Sequence, residues 1–157
     1  MDSFTNNILL SNLTRIRWIA IIGQLIATIF VFYYLNIKIP IAPCLLVILI
    51  SVLINSYSYI NNKAVKYLSD KQAFGFLIFD TIQLSILLYL TGGIYNPFSL
   101  LLIAPLIISA SYLPIFYSIC LLILSLLNVF ILSKFFIPIK WNQLFQVPLY
   151  FSYGLTI

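Results

Sequence analysis

The chain has 157 residues, of which 63% are hydrophobic and only 7% charged, against about 25% charged in an ordinary soluble domain. Eight Lys/Arg and three Asp/Glu cannot clothe a water-facing surface, and this excludes a soluble globular fold. The net charge of +5 is scattered, with no basic patch that would mark a nucleic-acid-binding face. The chain contains no histidine, which removes imidazole acid/base chemistry, haem ligation and phosphohistidine formation from these residues. Cys44 and Cys120 lie in apolar runs without metal-ligand or CxxC spacing and read as small apolar helix residues.

The expected fold is an all-α polytopic transmembrane helix bundle with five complete spans and a truncated sixth. Residues 1–14 are polar enough to remain in the cytoplasm, and no cleavable signal pattern is present. Arg15, Arg17 and Trp18 then form a cytoplasmic anchor with an interfacial aromatic ahead of the first span, 18–35. A short turn, 36–40, leads to the second span, 41–60, near whose inner end Tyr57, Tyr59 and Tyr67 read as belt residues. The charged stretch 61–72 precedes the third span, 73–90.

Gly92, Gly93 and the Asn96-Pro97 step break the third helix. The fourth span covers 98–113 and contains Pro105, which would kink it and free a carbonyl. Leu113-Pro114 is a minimal loop before the fifth span, 115–133, and 134–146 is a polar, aromatic loop. The last apolar stretch, 147–157, is too short to cross about 30 Å of hydrocarbon, so the chain reads as a fragment cut within a sixth span. With the N-terminus inside, Arg15, Arg17, Lys63, Lys66 and Lys71 are cytoplasmic, and Lys38, Lys134 and Lys140 are outside. This bias sets the orientation.

Asp80 is the one carboxylate inside a span, and at 100° per residue it shares a stripe with Gln83, Leu87 and Thr91. A carboxylate in hydrocarbon costs about 3 kcal/mol, so it faces the bundle interior or a cavity. Two readings stay open: a polar network serving a ligand site near the outer face, or hydrogen-bonding glue between helices. The polar Gln24 of the first span likewise needs an interior partner. The turn from Gly92 to Phe98 also reads two ways. It is either a tight helix connection, or a site offering backbone N–H groups, the Asn96 amide and aromatic rings.

The segment from Asp80 through Gly92, Gly93, Asn96, Pro97 and Phe98 resembles the membrane domain of the RegB/PrrB family of redox-responsive sensor histidine kinases, whose heptapeptide Gly-Gly-x-x-Asn-Pro-Phe it matches without departure. The stretch from Arg15 to Gln24 resembles the family's first span, and Ala104-Pro105 with Ile108-Ser109-Ala110 its fourth.

The resemblance implies a six-span sensor of the bacterial inner membrane that monitors the ubiquinone pool, with quinone at Gly92, Gly93, Asn96, Pro97 and Phe98 and with Asp80 and Gln83 in support. It further implies a homodimer, and a cognate response regulator reached through a cytoplasmic kinase domain that binds ATP. The phospho-accepting His, the redox Cys and the ATP-binding domain have no counterpart in these residues, so the chain as given would not autophosphorylate. The competing expectation is a small transporter or permease in which Asp80 couples to an ion.

Overall fold

The computed structural model describes residues 10–61 and 69–139, and every extended element within them is helical. Helix α1 (Leu10–Ile29) continues into a π-helical turn, Phe30–Tyr34, and the chain then reverses through Asn36, at φ 52°. Ile37 and Ile39 tuck inward after it, and the Ile37 N–H donates to the Val31 carbonyl at 3.3 Å. Helix α2 (Ile41–Asn61) follows, then α3 (Asp70–Leu90). Ser69 and Gln72 form a reciprocal capping box at the start of α3. Two 3-10 segments, Gly93–Tyr95 and Pro97–Leu102, lead to α4 (Ile103–Tyr112), and Leu113-Pro114 turns the chain into α5 (Ile115–Lys134).

Helix α3 is the hub, because it supplies a member to each of three apolar clusters. Ala73 and Leu77 pack with Leu13, Leu113 and Leu121. Leu87 packs with Ile21, Cys44 and Ile48, and Trp18 leans on this group. Leu84 and Leu88 pack with Leu102 and Leu132. Small hydroxyl side chains on α3 satisfy themselves within the helix. Thr81, Ser85 and Thr91 donate to the carbonyls of Leu77, Thr81 and Leu87 at 2.7–2.8 Å, so they sit at helix contacts without orphaned polarity. Ser109 and Ser118 tie α4 to α5 at 3.0 Å. The outer faces carry exposed Ile19, Leu46, Leu53, Ile123 and Phe130, a surface suited to acyl chains and not to water.

Among the described residues, four helical stretches are long and apolar enough to cross a membrane: Leu13–Tyr34, Ile41–Ile60, Asp70–Leu90 and Ile115–Lys134. With the exposed apolar faces, they make this a membrane-bound protein.

Of the five complete spans expected, the fourth, 98–113, is the one not matched by a helix of full crossing length. Pro97–Tyr112 is shorter than the others, and its first six residues are 3-10 rather than α-helical. At about 2.0 Å per 3-10 residue and 1.5 Å per α residue it reaches about 27 Å. Pro105 accordingly does not kink a full-length helix. It stands third in α4, within the first turn, where a missing N–H costs least.

The first helix also departs from its expected start. It begins by Leu10, and Leu13 and Thr14 are buried in the bundle. The expected sixth span, 147–157, and Lys63, Lys66, Tyr67, Lys140 and Trp141 lie outside the described residues.

Candidate functional site

Helix α1 packs closely on α2, and α4 on α3 and α5, while α1 faces α3 and α4 across a cavity of about 1370 Å³. Its walls carry Asp80, Gln83, Leu87 and Thr91 of the α3 stripe, together with Gly92, Asn96, Pro97 and Phe98 of the turn. The structure therefore brings six of the seven expected site residues to one cavity. The seventh, Gly93, is buried beneath the segment that follows α5.

The turn is built by its own side chains. Asn96 caps the second 3-10 segment: its Oδ1 accepts from the Phe98 N–H at 2.9 Å, with Pro97 in the first helical position. Its Nδ2 donates to the Thr91 carbonyl at 3.0 Å and to Thr91 Oγ1 at 2.8 Å. Both amide protons are thus engaged inside the turn.

Gly92 and Gly93 adopt φ 106° and 63°, conformations that side chains resist. They also admit the chain beyond α5. The Ile137 N–H donates to the Tyr89 carbonyl at 2.9 Å, Phe136 lies on Gly93, and Tyr95 meets the Phe136 ring edge-on at 5.5 Å. Phe98 remains 42% exposed at the cavity rim, available to an incoming ring in a way the Asn96 amide is not.

On the opposite wall the structure pairs residues that hydropathy does not connect. Arg17, read from the sequence as a cytoplasmic anchor, is 5% exposed, and its Nε donates to Asp80 Oδ1 at 3.1 Å. The guanidinium carbon stands 4.8 Å from the Phe76 ring centroid and 5.8 Å from that of Phe79, a cation–π setting. Gln24 finds its expected interior partner in Gln83. Gln83 Nε2 donates to Gln24 Oε1 at 2.9 Å, and the return bond is 3.4 Å. Arg17 is the residue whose place at this site sequence reasoning missed, while Gln24 was expected to have an interior partner without that partner being named. The available signal was arithmetic: one buried acid in the chain requires one buried base.

Among the described residues no group of three or more His, Cys, Asp or Glu could hold a metal ion. The carboxylate that would serve ion coupling already has a fixed cation beside it.

Fold and site together define a polytopic helical membrane protein with a largely apolar cavity that carries a few polar side chains. Over 100 residues the chain is 40% identical to the sensor histidine kinase RegB of Cereibacter sphaeroides, a match covering 64% of this chain and 22% of RegB. Over that region the chain is similar to RegB, in line with the resemblance carried by its heptapeptide. The matched stretch thus spans about a fifth of the relative's length. No family model matches the chain, and no solved structure does.

Proposed function

We propose that this chain is the membrane sensory region of a redox-responsive sensor histidine kinase, and that its cavity takes the head group of ubiquinone. The observation that carries the reading is the convergence of Asp80, Gln83, Thr91, Asn96 and Phe98 on one space between α1, α3 and α4. A quinone needs an apolar approach, a flat surface for its ring and polar groups for its oxygens, and these walls supply all three. Phe98 offers the ring surface at the rim, and Pro97 and Leu101 the apolar approach.

The bundle sits in the bacterial inner membrane with the N-terminus of α1 toward the cytoplasm. The protein works as a homodimer, and ligand state passes through an ATP-dependent kinase part to a response regulator. Only a ligand that binds two conformations unequally can bias such an output.

The test is binding of decylubiquinone to the chain in lipid nanodiscs. Phe98→Ala and Ala104→Phe remove the ring surface and fill the cavity respectively, and each is expected to weaken binding about tenfold or more. Unchanged affinity in both variants would place the quinone elsewhere.

A further inference from the structure

The chain leaving α5 runs over the Gly92–Phe98 turn as a strap, residues 135–139, that belongs to no helix. Three contacts seat it. The Ile137 N–H donates to the Tyr89 carbonyl, in the last turn of α3, at 2.9 Å. Phe136 lies on Gly93 and meets the Tyr95 ring edge-on at 5.5 Å. Ile139 stands against Gly92. A left-handed φ by itself would admit Asn at residue 93, but the approach of Phe136 leaves no room for any β-carbon. The seat is close, yet the hold is slight. Helix α5 buries Leu121, Ser125 and Leu132 in the bundle, whereas Ile137 is 37% exposed and, among the described residues, the strap has a single backbone bond to α3. A segment with few buried contacts and a half-exposed backbone bond opens locally, without unfolding its neighbours.

We propose that the strap is a latch on the cavity: seated on Gly92 and Gly93 it holds an occupant in, and unseated it lets the occupant exchange with the membrane. Phe136, Pro138 and Ile139 carry the argument, because they line the same cavity as Phe98 and Leu101. An occupant that touches the seated strap stabilises the seated form, and by reciprocity the seated strap retains the occupant. The inference rests on the cavity being the quinone site and adds the element that sets how fast a ligand leaves. A strap that only finished the end of the bundle would open equally whether the cavity were full or empty.

The experiment follows hydrogen exchange at the Ile137 amide in nanodiscs containing the full chain, with and without decylubiquinone, and takes the amides of α5 as reference. Without ligand, Ile137 is expected to exchange about tenfold or more faster than the middle of α5. Decylubiquinone at about ten times its Kd is expected to slow Ile137 about tenfold, the limit for a ligand that binds the seated form alone, and to leave α5 unchanged. Phe136→Ala removes the ring that rests on Gly93 and is expected to speed both Ile137 exchange and decylubiquinone release by about tenfold. Gly93→Asn keeps a residue that tolerates the left-handed backbone but places a β-carbon against Phe136, and is expected to act in the same direction.

Decylubiquinone that binds without slowing Ile137 exchange, or is released no faster from Phe136→Ala, overturns the latch and leaves the quinone site standing. Wild type that binds no decylubiquinone removes the site itself, and the latch with it. If neither variant folds, the wild-type comparison with and without ligand decides alone.

Discussion

Phe136 lies so close on Gly93 that a β-carbon at residue 93 would stand 2.7 Å from Phe136 Cβ and 2.8 Å from the Leu132 carbonyl oxygen. Neither atom is the far end of a flexible side chain, and Gly93 also holds φ 63°. Gly93→Ala therefore combines a left-handed backbone cost of about 1–2 kcal/mol with displacement of the chain after α5. Gly75 is the contrast: it lies inside α3 with open space where a Cβ would stand, and Ala there is expected to stabilise by about 0.5–1 kcal/mol. Thermal melting in detergent should move in opposite directions for the two variants.

Asn96 makes three hydrogen bonds within the turn, so replacing it changes the shape of the cavity before it changes any ligand contact. Asn96→Ala is expected to cost about 1–2 kcal/mol through loss of the cap. Asn96→Asp keeps the acceptor for the Phe98 N–H but brings an acceptor toward two Thr91 oxygens, so it should not restore stability. Thr91→Val should cost less than either, because the Asn96 bond to the Thr91 carbonyl survives it. Chemical denaturation of the four proteins gives the order. A fully stable Asn96→Ala would show that the amide is not structural.

The parts of this fold legible in the sequence are those set by local composition. Helices α2 and α5 were expected at 41–60 and 115–133 and are found at Ile41–Asn61 and Ile115–Lys134, because Pro40 and Pro114 mark where the helices begin. Hydropathy cannot distinguish a 3-10 from an α segment, so Pro97–Leu102 read as part of a uniform span. Leu13 and Thr14 looked like part of a watery tail because their burial comes from contacts with distant segments; for Leu13 these include Ala73 and Leu113.

The site divides the same way. The Asp80–Gln83–Thr91 stripe follows from helical period, and its residues do share a cavity. Arg17 reaches Asp80 across 63 positions, and no local pattern encodes that. The Asn96 cap was visible in principle, since Asn before Pro at a helix start is a capping signature. The amide's engagement with Thr91, five residues back, carries no such signature.

The Arg17–Asp80 pair is buried on the Arg17 side and sits where water is scarce. Removing one partner strands the other, which costs about 3–5 kcal/mol in buried pairs, whereas replacing both is far gentler. Arg17→Leu and Asp80→Leu are each expected to destabilise strongly. Arg17→Leu/Asp80→Leu should lose much less than the sum of the two. Unfolding measurements on the four proteins close the cycle, and additive losses would mean the pair is not coupled in the folded bundle.

Gln24 and Gln83 provide a neutral version of the same argument. Gln83 is 6% exposed and its only hydrogen-bond partner among the described residues is Gln24. Gln83→Leu leaves the Gln24 amide without that partner on the cavity wall, and the desolvation cost of an unmade hydrogen bond is about 1–3 kcal/mol. Gln24→Leu/Gln83→Leu removes both amides and returns apolar area to the α1–α3 contact, so its stability should approach wild type. The sign matters because α1 packs mainly on α2 and meets α3 through the apolar contacts of Leu13 and Ile21 together with this polar wall. If the double variant is less stable than either single change, the amide pair contributes net attraction between α1 and α3. If it recovers, helix pairing does not need the two glutamines, and their presence on the wall is left for a ligand to explain.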